Sequence, residues 1–341
     1  MMQPVTFTVS TALGAEQPLF QVAWVFLPPP DTAPKAALVC LPGGTYDKRY
    51  WHMEIDGHAG YSFAEHLADQ GFIVVAVDHL GVGESSDPDE TVILDLPRLA
   101  DGDAEVARQI RARLEDGDLV HGLAPIDLPL IGVGHSMGAC LTAMVQARAK
   151  PYDAVALLGY GAQVPTSNSR TVEGSTLESR IADSAARLRE AAGHAENARW
   201  TMVPRARLRA HFHSPDVPDD VVAADNAAES RAPLPACHEV TAPGYAEPYM
   251  AEIDVPVFLG FGGGVDSTSD GHAEPGYYRA CTDVTLYLLP GAAHCHNFAS
   301  NREVLWDRLG AWATSQLSGH AEAPAGDGSV RTTLTEKRSW A

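Results

Sequence analysis

The stretch that decides the fold is Gly134-His135-Ser136-Met137-Gly138-Ala139, which lies between an apolar run at 128–133 and a helix-forming segment at 140–149. A strand, a sharp turn and a helix in this order place a serine at the edge of a sheet in a strained backbone conformation. Small residues two positions before and after the serine leave room for that turn. The pattern predicts that Ser136 is a nucleophile. It also predicts that the backbone N–H of Met137 helps to stabilise an oxyanion, because it lies at a helix N-terminus.

Short apolar runs recur on both sides of this turn and alternate with helical segments. Runs that are almost continuously apolar are typical of parallel strands covered on both faces, whereas alternation with polar residues is typical of an antiparallel edge. The first kind occurs at 36–41, 72–78, 128–134, 154–159, 255–261 and 284–289, and the N-terminal runs at 5–9 and 21–26 are consistent with an antiparallel edge. Helical spacing occurs at 61–70, 103–114 and 300–317. The sequence therefore predicts an α/β fold with a doubly wound sheet of eight strands.

The alternation of core strands and helices stops between residues 163 and 247. Within this segment, Ser175 and Glu178 form a capping-box pair before a helix with apolar residues on one face. We therefore predict a core at 1–162 and 248–317 with an inserted helical cap or lid at 163–247. After residue 317 the composition changes to small and charged residues without an apolar period, which predicts a disordered tail at 318–341.

A serine nucleophile requires a base, and the base requires a carboxylate that orients it. His294 follows the last predicted strand and precedes the final helix, which is where a base could reach Ser136; His296 is the alternative. The carboxylate is expected after the preceding strand, where the glycine-rich segment at 262–264 leads to Asp266. Asp270 is the second candidate for this role.

A second oxyanion donor is expected from the loop after the third strand, which reads Leu41-Pro42-Gly43-Gly44-Thr45-Tyr46. Its glycines allow backbone N–H groups to approach a substrate oxygen closely. The sequence favours Gly44 as the donor, with Thr45 next.

These features together resemble the serine hydrolases of the α/β-hydrolase fold over residues 20–317. The serine turn, the Asp-x-x-Gly-x-Gly-x-Ser turn that starts at Asp78, the acid and the histidine occur in the order of that family. The resemblance implies a mostly parallel sheet with helices on both faces, esterase-like or lactonase-like chemistry, and a cap domain at 163–247. The chain departs from the pattern at Pro42-Gly43, where many members have His-Gly.

The order Ser136, Asp266 and His294 predicts acyl transfer on a carboxylic ester or lactone of moderate size and largely apolar character, and it requires no metal or organic cofactor. The candidate substrate-contacting residues are mostly aromatic or adjoin the serine and the glycine loop: Thr45, Tyr46, Trp51, His135, Trp200, Met202, Tyr245 and Tyr249. The same set of residues also fits a C–C bond hydrolase, a perhydrolase-type haloperoxidase or an acyltransferase. A binding protein with a silent site is the alternative from another class.

The composition limits the partners. The chain has 341 residues with 24 basic and 44 acidic side chains, for a net charge of −20. This charge disfavours nucleic acid and anionic membranes as partners. No apolar run approaches the ~20 residues that span a bilayer, and the N-terminus lacks the pattern of a secretory signal. We expect a cytoplasmic protein that acts on a small molecule, and a homo-oligomer is left open.

Overall fold

The computed structural model describes residues 2–163, 174–193, 198–202, 205–264, 266–268 and 270–317. The predicted tail at 318–341 and three pieces of the predicted insertion, at 164–173, 194–197 and 203–204, lie outside the described residues. Within the described part of the chain, no helix combines the length and the apolar character needed to cross a membrane.

The described residues form one eight-stranded sheet and a separate two-stranded pair. The strands of the large sheet are β1 Met2–Thr8, β2 Phe20–Phe26, β3 Ala36–Leu41, β4 Phe72–Val77, β5 Leu130–His135, β6 Ala154–Leu158, β9 Val257–Gly262 and β10 Val284–Leu289, while β7 Trp200–Thr201 and β8 Ala232–Pro233 form the antiparallel pair. The order of strands in the large sheet is β1-β2-β4-β3-β5-β6-β9-β10. Strand β2 pairs antiparallel with β1 and β4, and the other neighbours in the sheet are parallel. The eight strands and the antiparallel edge predicted from the sequence are therefore confirmed.

Helices cover both faces of the sheet. They are α1 Phe63–Asp69, α2 Leu96–Asp116, α3 Met137–Ala149, α4 Leu177–Ala192, α5 Arg209–Phe212, α6 Asp219–Ala227, α7 Leu234–Val240, α8 Glu247–Met250 and α9 Arg302–Leu317. Buried residues of α2 and α3 belong to one hydrophobic cluster, and those of α1 and α9 belong to the other. Strand β3 is fully buried, and its side chains point alternately into the two hydrophobic clusters. Leu38 packs in the cluster of α1 and α9, and Val39 packs in the cluster of α2 and α3.

The described part of the segment predicted as an insertion is mainly helical. It has two features that the sequence does not indicate. Helix α4 begins at Leu177 and not one residue earlier, so its N-cap is Thr176, whose hydroxyl accepts the N–H of Ser179 at 3.1 Å. The predicted capping box of Ser175 and Glu178 is therefore wrong, because Ser175 lies one position too early. The second finding is the short β7–β8 pair.

Parts of the same segment pack into the core. Val221 and Val222 of α6 belong to the hydrophobic cluster on the α1 and α9 side, whereas Ala236 and Val240 of α7 belong to the cluster on the α2 and α3 side. The segment at 163–247 therefore contributes to the packing of both faces of the sheet.

Candidate active site

Ser136 lies at the sharp turn between β5 and α3. Its backbone has φ 54° and ψ −119°, a conformation that is rare for a residue with a side chain. A Cβ atom at Gly134 would lie 2.2 Å from the carbonyl oxygen of Gly138, and a Cβ at Gly138 would lie 2.0 Å from that of Leu41. Both positions therefore require glycine, and the close packing that they allow produces the turn.

The serine hydroxyl is not used to cap its own helix. Ser136 stands at the N-cap of α3 but makes no side-chain capping hydrogen bond there. Its backbone N–H donates to the carbonyl of Leu158 at 2.8 Å, which joins the turn to the end of β6. The side chain is half-buried at the edge of the sheet where β5 and β6 end.

The glycine-rich loop after β3 packs against this turn. A Cβ atom at Gly43 would lie 3.0 Å from the Cβ of Ser136, and one at Gly44 would lie 3.8 Å from the sulfur of Met137. The ring of His79 donates from Nε2 to the carbonyl of Pro42 at 2.9 Å, and its Nδ1 lies 3.3 Å from Asp103. The structure thus brings both predicted oxyanion donors, Met137 and Gly44, to the same place.

The candidate acid and base come from the loops after β9 and β10. Nδ1 of His294 lies 2.7 Å from Oδ1 of Asp266, and both side chains are buried. Asp266 also accepts the backbone N–H groups of Gly262 at 2.5 Å and Ser267 at 2.7 Å. Asp270, the alternative acid, is exposed and accepts the N–H of its neighbour at 272, so the geometry favours Asp266.

His296 contacts the same carboxylate. Its Nε2 lies 2.7 Å from Oδ2 of Asp266, while its Nδ1 is buried and has no hydrogen-bond partner in the described part of the chain. Burial raises the pKa of Asp266, but the charge of His296 and the hydrogen bonds from His294 and His296 outweigh burial and keep the pKa well below its usual range. Asp266 is therefore ionised, and both rings donate to it.

The two histidines differ in the nitrogen that they present to Asp266. His294 uses Nδ1, which leaves Nε2 for another partner; this is the orientation that a general base requires. His296 uses Nε2 and is fully buried. This contrast favours His294 as the base and His296 as a second partner of the acid, a role that the sequence spacing did not suggest.

His135 lies beneath the site and not in it. Its Nε2 donates to the carbonyl of His294 at 2.8 Å, and its ring stacks on Tyr50 with centroids 4.5 Å apart. Burial, together with the charges of His294 and His296, lowers its pKa well below the usual value, so the ring is neutral. The residue is fully buried, so the structure gives no support to the predicted contact of His135 with substrate.

Two further predicted substrate contacts are buried in the same way. Trp51 is fully buried and packs against Tyr50 and Phe63, with ring centroids 5.2 Å and 5.0 Å away. Tyr46 is buried as well, and its hydroxyl lies 3.0 Å from Asp225. The side chains of Trp51 and Tyr46 present almost no surface to a ligand, so the structure gives no support to their predicted substrate contacts and instead places both in the packing around the site.

The remaining predicted contacts lie in different surroundings. Trp200 packs on the turn after β4, where a Cβ atom at Gly81 would lie 2.3 Å from its ring, and Met202 is 56% exposed. Tyr245 is buried in the α2 and α3 cluster, with Tyr249 partly buried against the same cluster. Thr45, which is buried, adjoins Gly44 in the loop beside Ser136.

The segment at 163–247 contacts the loop of the candidate base directly. The backbone N–H of His294 donates to the carbonyl of His211 at 3.0 Å, and that of Cys295 donates to Phe212 at 2.9 Å. The rings of His211 and His294 are stacked with centroids 5.0 Å apart. Burial, reinforced by the charge of His294, lowers the pKa of His211 to about 4.

The mostly parallel sheet with helices on both faces, and the sharp turn at Ser136 between β5 and α3, are the architecture of the α/β hydrolases. The chain belongs to the alpha/beta hydrolase family, whose model matches residues 38–308. A comparison with curated protein sequences gave no match.

Solved structures with the same fold are named for different activities. A thermophilic esterase from Thermogutta terrifontis is 15% identical, with a TM-score of 0.63 over 92% of this chain and 99% of that chain. A lipase in an open form is 19% identical, with a TM-score of 0.61 over 93% and 99%. A haloalkane dehalogenase variant from Bradyrhizobium elkanii is 12% identical, with a TM-score of 0.60 over 94% and 99%. At these identities the similarity establishes the fold alone.

Proposed function

We propose that the chain is a serine hydrolase that cleaves a carboxylic ester or lactone through an acyl-enzyme on Ser136. The observation that carries the proposal is the 2.7 Å contact between Nδ1 of His294 and Asp266, at the sheet edge where Ser136 adopts its strained turn. The esterase and lipase with the same fold are consistent with this chemistry.

In the proposed cycle, the hydroxyl of Ser136 attacks the carbonyl carbon while Nε2 of His294 accepts its proton. Asp266, which its hydrogen-bond donors keep ionised, stabilises the resulting imidazolium. The backbone N–H groups of Met137 and Gly44 stabilise the oxyanion, and each such donor contributes roughly 10²–10³-fold to the rate. His294 then protonates the leaving alcohol. Water, activated by the same ring, cleaves the acyl-enzyme, and the cycle uses no metal or organic cofactor.

We further propose that residues 163–247 act as the cap over this site and favour a medium-sized, largely apolar substrate. Support comes from His211 and Phe212, whose carbonyls accept backbone N–H groups from the loop of His294, the proposed base. The strongly exposed Met202 and the half-buried Trp200 add apolar surface to the same segment.

The test is hydrolysis of a panel of p-nitrophenyl acyl esters and aromatic lactones, with Ser136→Ala as the blank and fluorophosphonate labelling as a second readout. We expect activity and labelling in the wild type and neither in the variant, with an unchanged melting temperature. Labelling that persists in Ser136→Ala would refute the nucleophile. Cleavage of vinylogous diketones without any turnover of esters or lactones would replace ester hydrolysis with C–C bond hydrolysis.

A further inference from the structure

The segment at 163–247 contains a buried ion pair between Arg205 and Asp225. Nη1 of Arg205 lies 2.8 Å from Oδ1 of Asp225, and the two side chains are 1% and 0% exposed. The other carboxylate oxygen accepts hydrogen bonds from His213 and from the hydroxyl of Tyr46, both at 3.0 Å. Such a pair adds little net stability, since desolvation of both charges offsets their attraction.

Arg205 also contacts the loop that supplies the proposed oxyanion donor Gly44. Its Nη2 donates to the carbonyl of Thr45, which also accepts the backbone N–H of Ser230 at 2.9 Å. The guanidinium carbon lies 3.8 Å from the centroid of the Tyr46 ring. One planar guanidinium thus joins Asp225 to two consecutive residues of the loop, a geometry that lysine cannot reproduce.

The backbone of Thr45 needs this support. Its φ is 64°, in the left-handed region that β-branched residues seldom adopt. The Thr45 carbonyl lies in the peptide plane that it shares with the N–H of Tyr46, and that N–H donates to the carbonyl of Gly43 at 3.2 Å. The Gly43 carbonyl shares its own peptide plane with the N–H of Gly44, so donors that hold the Thr45 carbonyl restrict this N–H through the turn. The orientation of the N–H groups in this loop therefore depends on donors from outside the loop.

The same cluster reaches the loop of the base. The Tyr46 hydroxyl lies 3.2 Å from Sγ of Cys295, the residue after His294. His213, which bonds to Asp225, follows the two residues that pair with the backbone of His294 and Cys295. Arg205 and Asp225 therefore lie between the glycine loop and the base loop.

We propose that Arg205, oriented by Asp225, is a positioning residue for the oxyanion hole, so that the segment at 163–247 completes the active site as well as covering it. This inference rests on the proposed function, because it requires an oxyanion at the N–H groups of Gly44 and Met137. Nothing in the sequence pairs Arg205 with Thr45, which lies 160 positions earlier in the chain.

The test compares Arg205→Lys with Arg207→Lys. Arg207 belongs to the same short helical turn but is exposed, which makes it a matched control. For Arg205→Lys we expect kcat on a p-nitrophenyl ester to fall about 10–100-fold with KM within threefold, because a small displacement of an oxyanion donor removes transition-state stabilisation. The affinity for a trifluoromethyl ketone, whose serine adduct carries an oxyanion, should fall by the same factor. The pH profile should not move, since the contact of His294 with Asp266 is untouched.

A second variant guards against a lysine that still reaches Thr45. The double variant Arg205→Met with Asp225→Leu removes both buried charges together, which avoids leaving either one unpaired. Loss of kcat and of ketone affinity in either folded variant, with Arg207→Lys normal, supports the proposal. Wild-type kcat and ketone affinity in Arg205→Lys and in the folded double variant would overturn it; if the double variant does not fold, Arg205→Lys alone decides. A wild-type protein that cleaves no ester and forms no ketone adduct would instead refute the proposed function.

Discussion

The two histidines on Asp266 predict a separation of catalytic and structural effects. His294→Ala removes the proposed base, and we expect kcat/KM to fall roughly 10⁴–10⁶-fold. His296→Ala removes one of the four donors to Asp266 and leaves those from Gly262, Ser267 and His294. A hydrogen bond to a charged group contributes about 1.5–3 kcal/mol, so the free energy of unfolding should fall by at least about that amount. Activity should fall only about tenfold, because three donors still orient the carboxylate.

The assay pairs ester hydrolysis with urea unfolding for both variants. His296→Gln is the matched control, because its side-chain N–H₂ can donate from nearly the position of Nε2 and should recover most of the lost stability. The reasoning fails if His294→Ala and His296→Ala lose equal activity, since that result would make the two rings equivalent. It also fails if His296→Ala leaves the free energy of unfolding unchanged.

Three further predictions follow from the same geometry. Gly138→Ala places a Cβ 2.0 Å from the carbonyl oxygen of Leu41, so the turn at Ser136 has to shift. Fluorophosphonate labelling should then slow more than 10-fold and the melting temperature should drop. Unchanged labelling would contradict the close packing. Asp266→Asn should lower kcat about 10⁴-fold, while Asp270→Asn, at an exposed position, should stay within twofold in the same ester assay. The pKa of His211 in the folded protein is about 4, below the ~6.5 of a histidine in an unfolded chain. Between these two values the unfolded chain binds the proton more readily, so the stability that is present above pH 6.5 is lost as the pH falls towards 4. His211→Phe should therefore reduce the slope of the unfolding free energy against pH between pH 4 and 6.5. An unchanged slope would refute this prediction.

The elements that the sequence predicts well are those whose signal is local. Strand β3 is fully buried, so its apolar run coincides with the strand from Ala36 to Leu41. The turn at Ser136 is equally local, because both glycines that it requires lie within two residues of the serine. The proximity of Asp266 and His294 also follows from sequence reasoning, since parallel strands bring the loops at their carboxyl ends to one edge.

The features that the sequence did not predict depend on contacts between distant segments. From its position in the sequence, His296 is an alternative to His294, and only the fold shows that the two rings donate to different oxygens of one carboxylate. Aromatic residues near the glycine loop suggested substrate contacts, yet Trp51 is fully buried. Aromatic composition alone does not distinguish packing from binding, because both favour large apolar rings.

The packing of α6 and α7 into opposite hydrophobic clusters limits how this scaffold can be engineered. A chimera that exchanged residues 163–247 for the corresponding part of a relative would remove Val221 from one face of the sheet and Val240 from the other. Each graft would then need repacking on both faces of the sheet, because every poorly matched contact lowers the free energy of unfolding by about 1–3 kcal/mol. Single substitutions at exposed positions of the segment, such as Met202, avoid this repacking, whereas an exchange of the whole segment does not.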